Sequence, residues 1–511
     1  MKKARVALLN PPTAAESTEI ILGLAYLASA LRKHGHEARV IDATAPCKKM
    51  NAEDVKKAIL DFEPHFIGVT LTITGIPQTY AYLKELRNLG IPVVAGGSHV
   101  NALPEEALPH GVDIVALGEG ENTIVELADY FAGNRNDPSG INGLCMKKEN
   151  GTTYKTPPRA LIENLDDIPF PAFEDFPIAN YTGTNDVNSN PVFWAIFTSR
   201  GCPFNCTFCC GHNVFGRTYR LRSAHNIFDE IKSLVDKFGV QKIAFQDDEI
   251  LLSKNRIEEF CDLIAKSKIK VKMSLRSRID SVTPALLQKM KSVGFRRISF
   301  GIESWNDETL RKIKKNYTLQ GIEKGVKSLE KSKFPFMNFG NIVGFPWETG
   351  EHLKKNLDAM SKISPSLKYF SVAVTPIPYP NTELYNTYHK EYGFTDWWLD
   401  PAKHWDWLLL NQEKPVFFHF AKFLIPLYLP DLYWNYSAEQ KKEIEKFNWK
   451  VFSLYIRRHL GLGTYIFIYF LSRMSHILWR RSPRFERLLF GWIPERFIQN
   501  IEEKISFKSK E

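Results

Sequence analysis

Twice along the 511 residues of this chain, short apolar runs alternate with stretches of helical apolar spacing. That alternation restricts the fold to α/β architecture with parallel sheets. In the first series, strands are expected at Arg5–Leu9, Ala38–Asp42, Phe66–Thr70, Pro92–Gly97 and Ile114–Leu117, with helices at Leu22–Lys33, Val55–Phe62 and about Ile76–Asn88. Such a series makes a Rossmann-like, doubly wound domain whose ligands sit at the carboxyl ends of the strands. In the second, strands are expected at 193–199, 241–246, 271–275, 296–302, 336–343 and 368–374, with helices at 223–238, 255–267, 283–293, 318–331 and 350–362. Six βα units suit a partial (β/α)6 barrel of the TIM type, with the chemistry where strands end.

Between the two series, residues 135 to 190 are rich in Asn, Asp, Pro and Gly and read as a connector, with a short hairpin near Cys145 to Tyr154. The last 110 residues read as mainly helical, with Ser437 placed to cap a helix running to about His459. The domains are therefore expected at 1–135, 191–385 and 386–511, with 136–190 as linker.

The net charge of +10 is uneven: residues 401–511 hold 18 Lys/Arg against 11 Asp/Glu, and 24 of the aromatic residues. A basic, aromatic segment can meet an anionic membrane surface or a partner, or be a helical domain with a basic outer face. Its apolar runs, Val416–Leu429 and Thr464–Leu471, fall short of the ~18–20 residues of a spanning helix. Arg480, Arg481, Arg484 and Arg487 lie beside Trp479, Phe485, Phe490 and Trp492, an arrangement suited to peripheral membrane contact or to packing on the barrel. No signal peptide is expected, since the short apolar stretch after Lys2 and Lys3 ends at Asn10-Pro11-Pro12 without a small-residue cleavage site. A cytoplasmic location follows as the expectation, with a peripheral place at the membrane as the alternative.

Four of the seven cysteines fall within residues 202–210, in Arg200-Gly201-Cys202-Pro203-Phe204-Asn205-Cys206-Thr207-Phe208-Cys209-Cys210. The spacing Cys-x3-Cys-x2-Cys on one loop after a strand can hold three irons of a cubane and leave the fourth open. Zinc favours four closed ligands in paired spacing. Clustering of this kind points to a metal site in a reducing compartment rather than to disulfides.

This loop, with Phe208 before its third cysteine, resembles that of radical S-adenosylmethionine enzymes. The resemblance implies that Cys202, Cys206 and Cys209 hold a [4Fe–4S] cluster. In that family the amino and carboxylate groups of S-adenosylmethionine chelate the open iron. One electron then breaks the S–C5′ bond to give methionine and a 5′-deoxyadenosyl radical. Cys210 exceeds the motif and reads as a packing residue.

The later strand ends fit the same family. Phe245-Gln246-Asp247-Asp248-Glu249 ends the second strand, Ser299-Phe300-Gly301-Ile302-Glu303-Ser304 the fourth, and Gly340-Asn341-Ile342-Val343-Gly344-Phe345-Pro346-Trp347-Glu348-Thr349 the fifth. The resemblance places Phe208, Gln246, Asp247, Glu303 and Gly344 at S-adenosylmethionine. Arg276 and Arg278 follow the third strand and could pair with a carboxylate or face solvent. After the sixth strand, Asn381 stands where the family often has Gly, and Asn can also take a left-handed turn.

The Asn-Pro-Pro start, Gly23-Leu24-Ala25-Tyr26-Leu27-Ala28, Gly96-Gly97-Ser98-His99 and Gly118-Glu119-Gly120-Glu121 resemble the cobalamin-binding domain joined to one large class of radical enzymes. The resemblance implies cobalamin contacts from Thr70, Thr72, Gly96, Gly97, Ser98, Gly118 and Glu119, with Thr74 as a further hydroxyl. The Asp-x-His-x-x-Gly motif of other cobalamin proteins is missing, so no histidine is expected beneath cobalt, and His99 reads as a hydrogen-bonding residue. The implied cofactors are thus a [4Fe–4S] cluster, S-adenosylmethionine and cobalamin. The implied partners are a small-molecule substrate, with a lipid or other apolar metabolite as one option, and an electron donor of flavodoxin or ferredoxin type; nucleic acid is not expected. The implied activity is methyl transfer to an unactivated carbon. The alternatives are a cyclase or oxidative enzyme like the anaerobic magnesium-protoporphyrin ester cyclase, and a cobalamin or redox sensor without turnover.

Overall fold

The structure, a computed structural model, describes residues 2–13, 20–45, 49–176, 193–362, 369–374, 376–400, 436–459 and 474. The chain divides into two compact units, residues 1–203 with 210–275 and 398–407, and residues 204–209 with 276–397 and 408–511.

The first unit begins with β1 (Arg5–Asn10), α1 (Leu22–Lys33), β2 (Glu37–Asp42), α2 (Ala52–Leu60), β3 (Phe66–Thr70), α3 (Ile76–Leu86), β4 (Val93–Gly96), α4 (Ser98–Ala102), β5 (Ile114–Ala116) and α5 (Gly120–Phe131). A hairpin of β6 (Leu144–Lys147) and β7 (Thr153–Lys155) follows. The sheet order is β2-β1-β3-β4-β5-β6-β7. The first five strands pair in parallel, and β6 and β7 add antiparallel. Both faces of the parallel part are covered, so Val6, Ala7, Leu8 and Leu9 of β1 are wholly buried, as the unbroken apolar run requires. The hairpin lies where one was expected, but it extends the sheet rather than standing apart in a connector. The proline-rich stretch after it is also packed down: the Phe173 ring lies tilted 5.0 Å from that of Trp194, and Arg32 pairs with Asp175 at 2.6 Å.

The same unit continues with β8 (Phe193–Ile196), β9 (Ser199–Arg200), α6 (His212–Phe215), β10 (Arg220–Leu221), α7 (Ala224–Phe238), β11 (Lys242–Phe245), α8 (Lys254–Lys266) and β12 (Lys272–Ser277). β11 pairs in parallel with β8 and β12, while β9 and β10 form an antiparallel ribbon with Arg200 opposite Arg220. α7 is capped at Ser223 and closed by Gly239, which accounts for its match to the expected 223–238.

The second unit holds α9 (Pro284–Ser292), β13 (Phe295–Glu303), α10 (Asp307–Lys312), α11 (Leu319–Ser332), β14 (Phe336–Ile342), α12 (Gly350–Lys362), β15 (Tyr369–Val374), α13 (Glu383–Tyr388) and α14 (Ala438–His459). β13, β14 and β15 pair in parallel. The Ser437 hydroxyl accepts from Gln440 N at 3.2 Å, the expected cap of α14. Asn381 has φ 61°, the left-handed turn expected of it, and the next residue, Thr382, caps α13. Among the described residues no helix is long and apolar enough to cross a membrane. The two apolar runs and the Arg480–Arg487 cluster of the C-terminal segment lie outside the described residues.

Candidate active site

In the first unit a cavity of about 170 Å³ opens past the carboxyl ends of β3, β4 and β5. Thr70, Gly96, Gly97, Gly118 and Glu119 line it, together with Tyr26 of α1 and Glu121 of α5. Gly97 is obligatory there: its φ is 104°, and a Cβ would stand 2.6 Å from the Leu71 carbonyl oxygen. Thr72 and Ser98 fall outside this lining and are exposed. His99 is buried, with Nε2 2.8 Å from a Glu106 carboxylate that also accepts from Tyr80 Oη and Trp398 Nε1. That is the hydrogen-bonding role expected of it.

Glu119 is buried, but its carboxylate is already engaged. It accepts from Arg200 at 2.7 Å, Arg220 at 2.8 Å and Ile162 N at 2.7 Å. Burial works against its charge, yet the hydrogen bonds from Arg220 and Arg200 prevail and hold the carboxyl below its usual range. Arg200 also pairs with Glu121. Arg200 and Glu121 stand inside the quoted motifs but were assigned no contact of their own; their pairing becomes visible once the fold places the Gly-Glu-Gly-Glu turn beside β9.

The approach to the first cysteine is clamped. Asp247, at the end of β11, accepts from Thr198 N at 2.9 Å, Thr198 Oγ1 at 2.8 Å and Ser199 Oγ at 2.5 Å, so it shapes the loop through the preceding strand. Burial pushes its carboxyl above the usual range. Gln246 N bonds the Ile196 carbonyl at 3.0 Å, Asp248 is exposed, and Glu249 is buried with Leu251 N on its carboxylate.

In the second unit the loop residues Cys206 to Cys209 are fixed by backbone bonds, Thr207 N to Ile313 O at 3.1 Å and Leu384 N to Thr207 O at 2.9 Å. Cys206 Sγ lies 3.9 Å from the Lys314 carbonyl. Beside it, Lys315 Nζ pairs with Glu303 at 3.0 Å. Burial opposes the Lys315 charge, but Glu303, Tyr317 and Cys206 keep its ammonium above the usual lysine range. Lys314 and Asn316 take left-handed φ of 54° and 58°, and this local strain turns the intervening lysine inward. Buried Arg278 pairs with Asp280 and stacks 3.9 Å from the Phe204 ring, whereas Arg276 is exposed. Lys315 was missed in the sequence because Arg311-Lys312-Ile313-Lys314-Lys315 looks like a solvated charge run.

Phe208 lies 6.3 Å from Phe345 in the Gly344 loop. Glu348 closes that loop, accepting from Gly344 N at 2.8 Å, Phe345 N at 3.2 Å and Thr309 Oγ1 at 3.3 Å. Burial pushes its carboxyl up to about 7. Tyr436, just before α14, donates to the Gly344 carbonyl.

Cys202, Cys206, Cys209 and Cys210 are reduced, none of them in a disulfide. Among the described residues no three His, Cys, Asp or Glu side chains are drawn within metal-holding range of one another. The fit to an iron–sulfur cluster therefore rests on donor chemistry: reduced cysteines on one short loop, with the Lys315 ammonium buried beside Cys206. The cavity has small residues, Gly96, Gly97 and Gly118, on its wall, which leaves room for a flat group to approach the backbone.

Comparison with known proteins gives these features their context. Residues 196–360 match the Radical SAM superfamily and residues 13–128 match the B12 binding domain. An uncharacterized methyltransferase of Pyrococcus horikoshii is 33% identical over 396 residues, spanning 75% of this chain and 83% of its own. The anaerobic magnesium-protoporphyrin IX monomethyl ester cyclase of Rubrivivax gelatinosus is 26% identical over 372 residues, 71% of this chain and 65% of its own. The solved radical S-adenosylmethionine methyltransferase TsrM of Kitasatospora setae, with cobalamin and a [4Fe–4S] cluster bound, superposes with a TM-score of 0.62 at 21% identity, covering 76% of this chain and 75% of its own. With both domains matched in the expected order, the chain belongs to the radical S-adenosylmethionine enzymes that carry an N-terminal cobalamin-binding domain, and its cofactors are a [4Fe–4S] cluster, S-adenosylmethionine and cobalamin.

Proposed function

We propose that the chain is a C-methyltransferase acting on an unactivated carbon of a small molecule. The observation that carries this reading is the 33% identity to a methyltransferase across both domains. When bound, the cluster supplies the electron that cleaves S-adenosylmethionine, and cobalamin supplies the methyl group. Cys202, Cys206 and Cys209 are the proposed cluster ligands. Lys315 offsets the negative charge gathered there, and Glu303, held by Lys315, presents a carboxylate to S-adenosylmethionine. Phe208 and the Gly344 loop form an apolar side for the same ligand, and Gln246 and Asp247 hold the strand end from which the cysteine loop departs. Thr70, Gly96, Gly97 and Gly118 form the slot for the nucleotide end of cobalamin, with Glu119 behind it as a structural anchor. Thr72 and Ser98 stay available to the exposed part of that ligand. Ring closure or oxidation is the competing chemistry, favoured by the cyclase relative. A large apolar substrate would find matching chemistry in the aromatic C-terminal segment, which also carries the basic residues for an anionic membrane.

The test is anaerobic reconstitution of the whole chain. About four irons per chain are expected, with cleavage of S-adenosylmethionine read as 5′-deoxyadenosine. Cys206→Ala abolishes cleavage, and Cys210→Ala leaves it largely intact. Full cleavage by Cys206→Ala defeats the ligand assignment. A product heavier by one methylene supports methyl transfer, and a product that has lost hydrogen or gained oxygen overturns it.

A further inference from the structure

We infer that Arg200 couples occupancy of the glycine-lined cavity to the position of Cys202, with Glu121 as the residue that meets the occupant. The inference rests on the cobalamin reading of that cavity. Arg200 and Glu121 both line it. One Glu121 oxygen is taken by Arg200; the other, Oε2, is buried and has no hydrogen-bond partner. Buried carboxylate oxygens are rarely left so. In a cavity wall, an unused acceptor fits an occupant that brings an N–H or O–H donor on an otherwise flat, apolar body.

The two acids differ in freedom. Glu119 is fixed from three sides, by Arg200, Arg220 and the Ile162 amide. It also answers a problem of β9 and β10, which place Arg200 opposite Arg220, where like charges repel. Glu121 has one engaged oxygen and one open one, so it can respond to an occupant. Any change at Glu121 is felt by Arg200, whose guanidinium lies 5.5 Å from the ring centres of both Tyr26 and Phe215. Arg200 stands two residues before Cys202. The residue between, Gly201, has φ 80°, and a Cβ there would overlap the Thr218 carbonyl oxygen. The backbone at Gly201 is thus packed against the Thr218 and Phe215 carbonyls, and in this proposal that packing passes a shift of Arg200 on to the first cysteine.

The whole chain, reconstituted with its cluster, is titrated with hydroxocobalamin, and iron loss to a chelator is timed with and without it. In the wild type, bound cobalamin slows iron loss at least about fivefold, the lower range of ordinary coupling between sites. Arg200→Lys keeps the charge but not the forked bridge. At saturating cobalamin it loses the protection while keeping its iron content. Glu121→Gln weakens cobalamin binding about tenfold, the effect of an acceptor replaced by a donor, and loses protection even at saturation while keeping its iron content. Should Arg200→Lys fail to fold, Glu121→Gln decides alone. Protection equal to wild type in either variant overturns the coupling. A wild-type chain that binds no cobalamin overturns the reading beneath it, and the coupling with it; one that binds cobalamin without protection overturns the coupling alone.

Discussion

The carboxyl ends of β3, β4 and β5 are finished in Thr70, Gly96 and Ala116, and the turns that follow add Gly97 and Gly118. The carboxyl end of β13 and the turn after β14 are finished in Glu303 and in Glu348 with its loop, and each acid is compensated by a bonded partner. The first set leaves only backbone and small side chains at the strand ends, so on the proposed reading it admits a flat group by shape. The second sets buried acids against bonded partners, so on the proposed reading it selects by polarity. A shape site is cheap to maintain and easy to fill by mutation. A charge site carries a standing desolvation cost and collapses when one partner is removed.

The sharpest way to break this contrast is Lys315→Met. It leaves Glu303 half of an ion pair whose side chains are only 10% and 12% exposed. The expected loss is about 3–5 kcal/mol in urea unfolding, with the double variant Lys315→Met/Glu303→Gln recovering most of it. A single variant as stable as wild type would mean that charge is not what the second set holds. Next in size is a pH effect at Glu348. Its carboxyl is raised from 4.5 to about 7 in the fold, so its contribution is fully present below about 4.5 and is lost as pH rises through about 7. The expected fall is up to about 3 kcal/mol between those limits, and Glu348→Gln lacks that component. Parallel pH profiles for the two proteins would refute it. The smallest effect belongs to the shape site. A Cβ at residue 96 meets nothing within 4 Å, so Gly96→Val is accommodated by the fold but intrudes on the slot. Cobalamin affinity should drop about tenfold, or about 1.4 kcal/mol, with iron content unchanged. Unchanged affinity would move the ligand elsewhere.

Much of this layout could be read from the sequence, for identifiable reasons. Helix α1 and strand β3 occupy the expected residues because apolar spacing and the turn at Gly35 mark their limits. The ends of α7 and α14 were legible because Ser223, Gly239 and Ser437 are capping residues in the right places. Helix α5 was not read as an element, since its first turn was taken for a ligand motif; it is both. Helix α10 is a short polar stretch between two strand units and gave no periodic signal. In the site, the cysteine loop and the glycine turns were legible because their spacing is itself the signal. Arg200 and Lys315 were not, because a lone cation acquires meaning only from the carboxylates that the fold sets against it. Asp247 was expected at the ligand, whereas one of its oxygens is occupied by Thr198 and Ser199 and shapes the backbone there.

The β6–β7 hairpin bears on how the first sheet behaves outside the intact chain. β5 is three residues long and would otherwise present a bare edge with open amide and carbonyl groups. The hairpin occupies that edge through Ile114–Met146, Val115–Cys145 and Ala116–Leu144, and ends the sheet on Thr153, Tyr154 and Lys155, two polar or charged side chains around one aromatic. An excised fragment stopping near residue 135 would shed this guard and turn the ligand-binding half into a template for strand-by-strand self-association; one carried through the hairpin keeps its border closed.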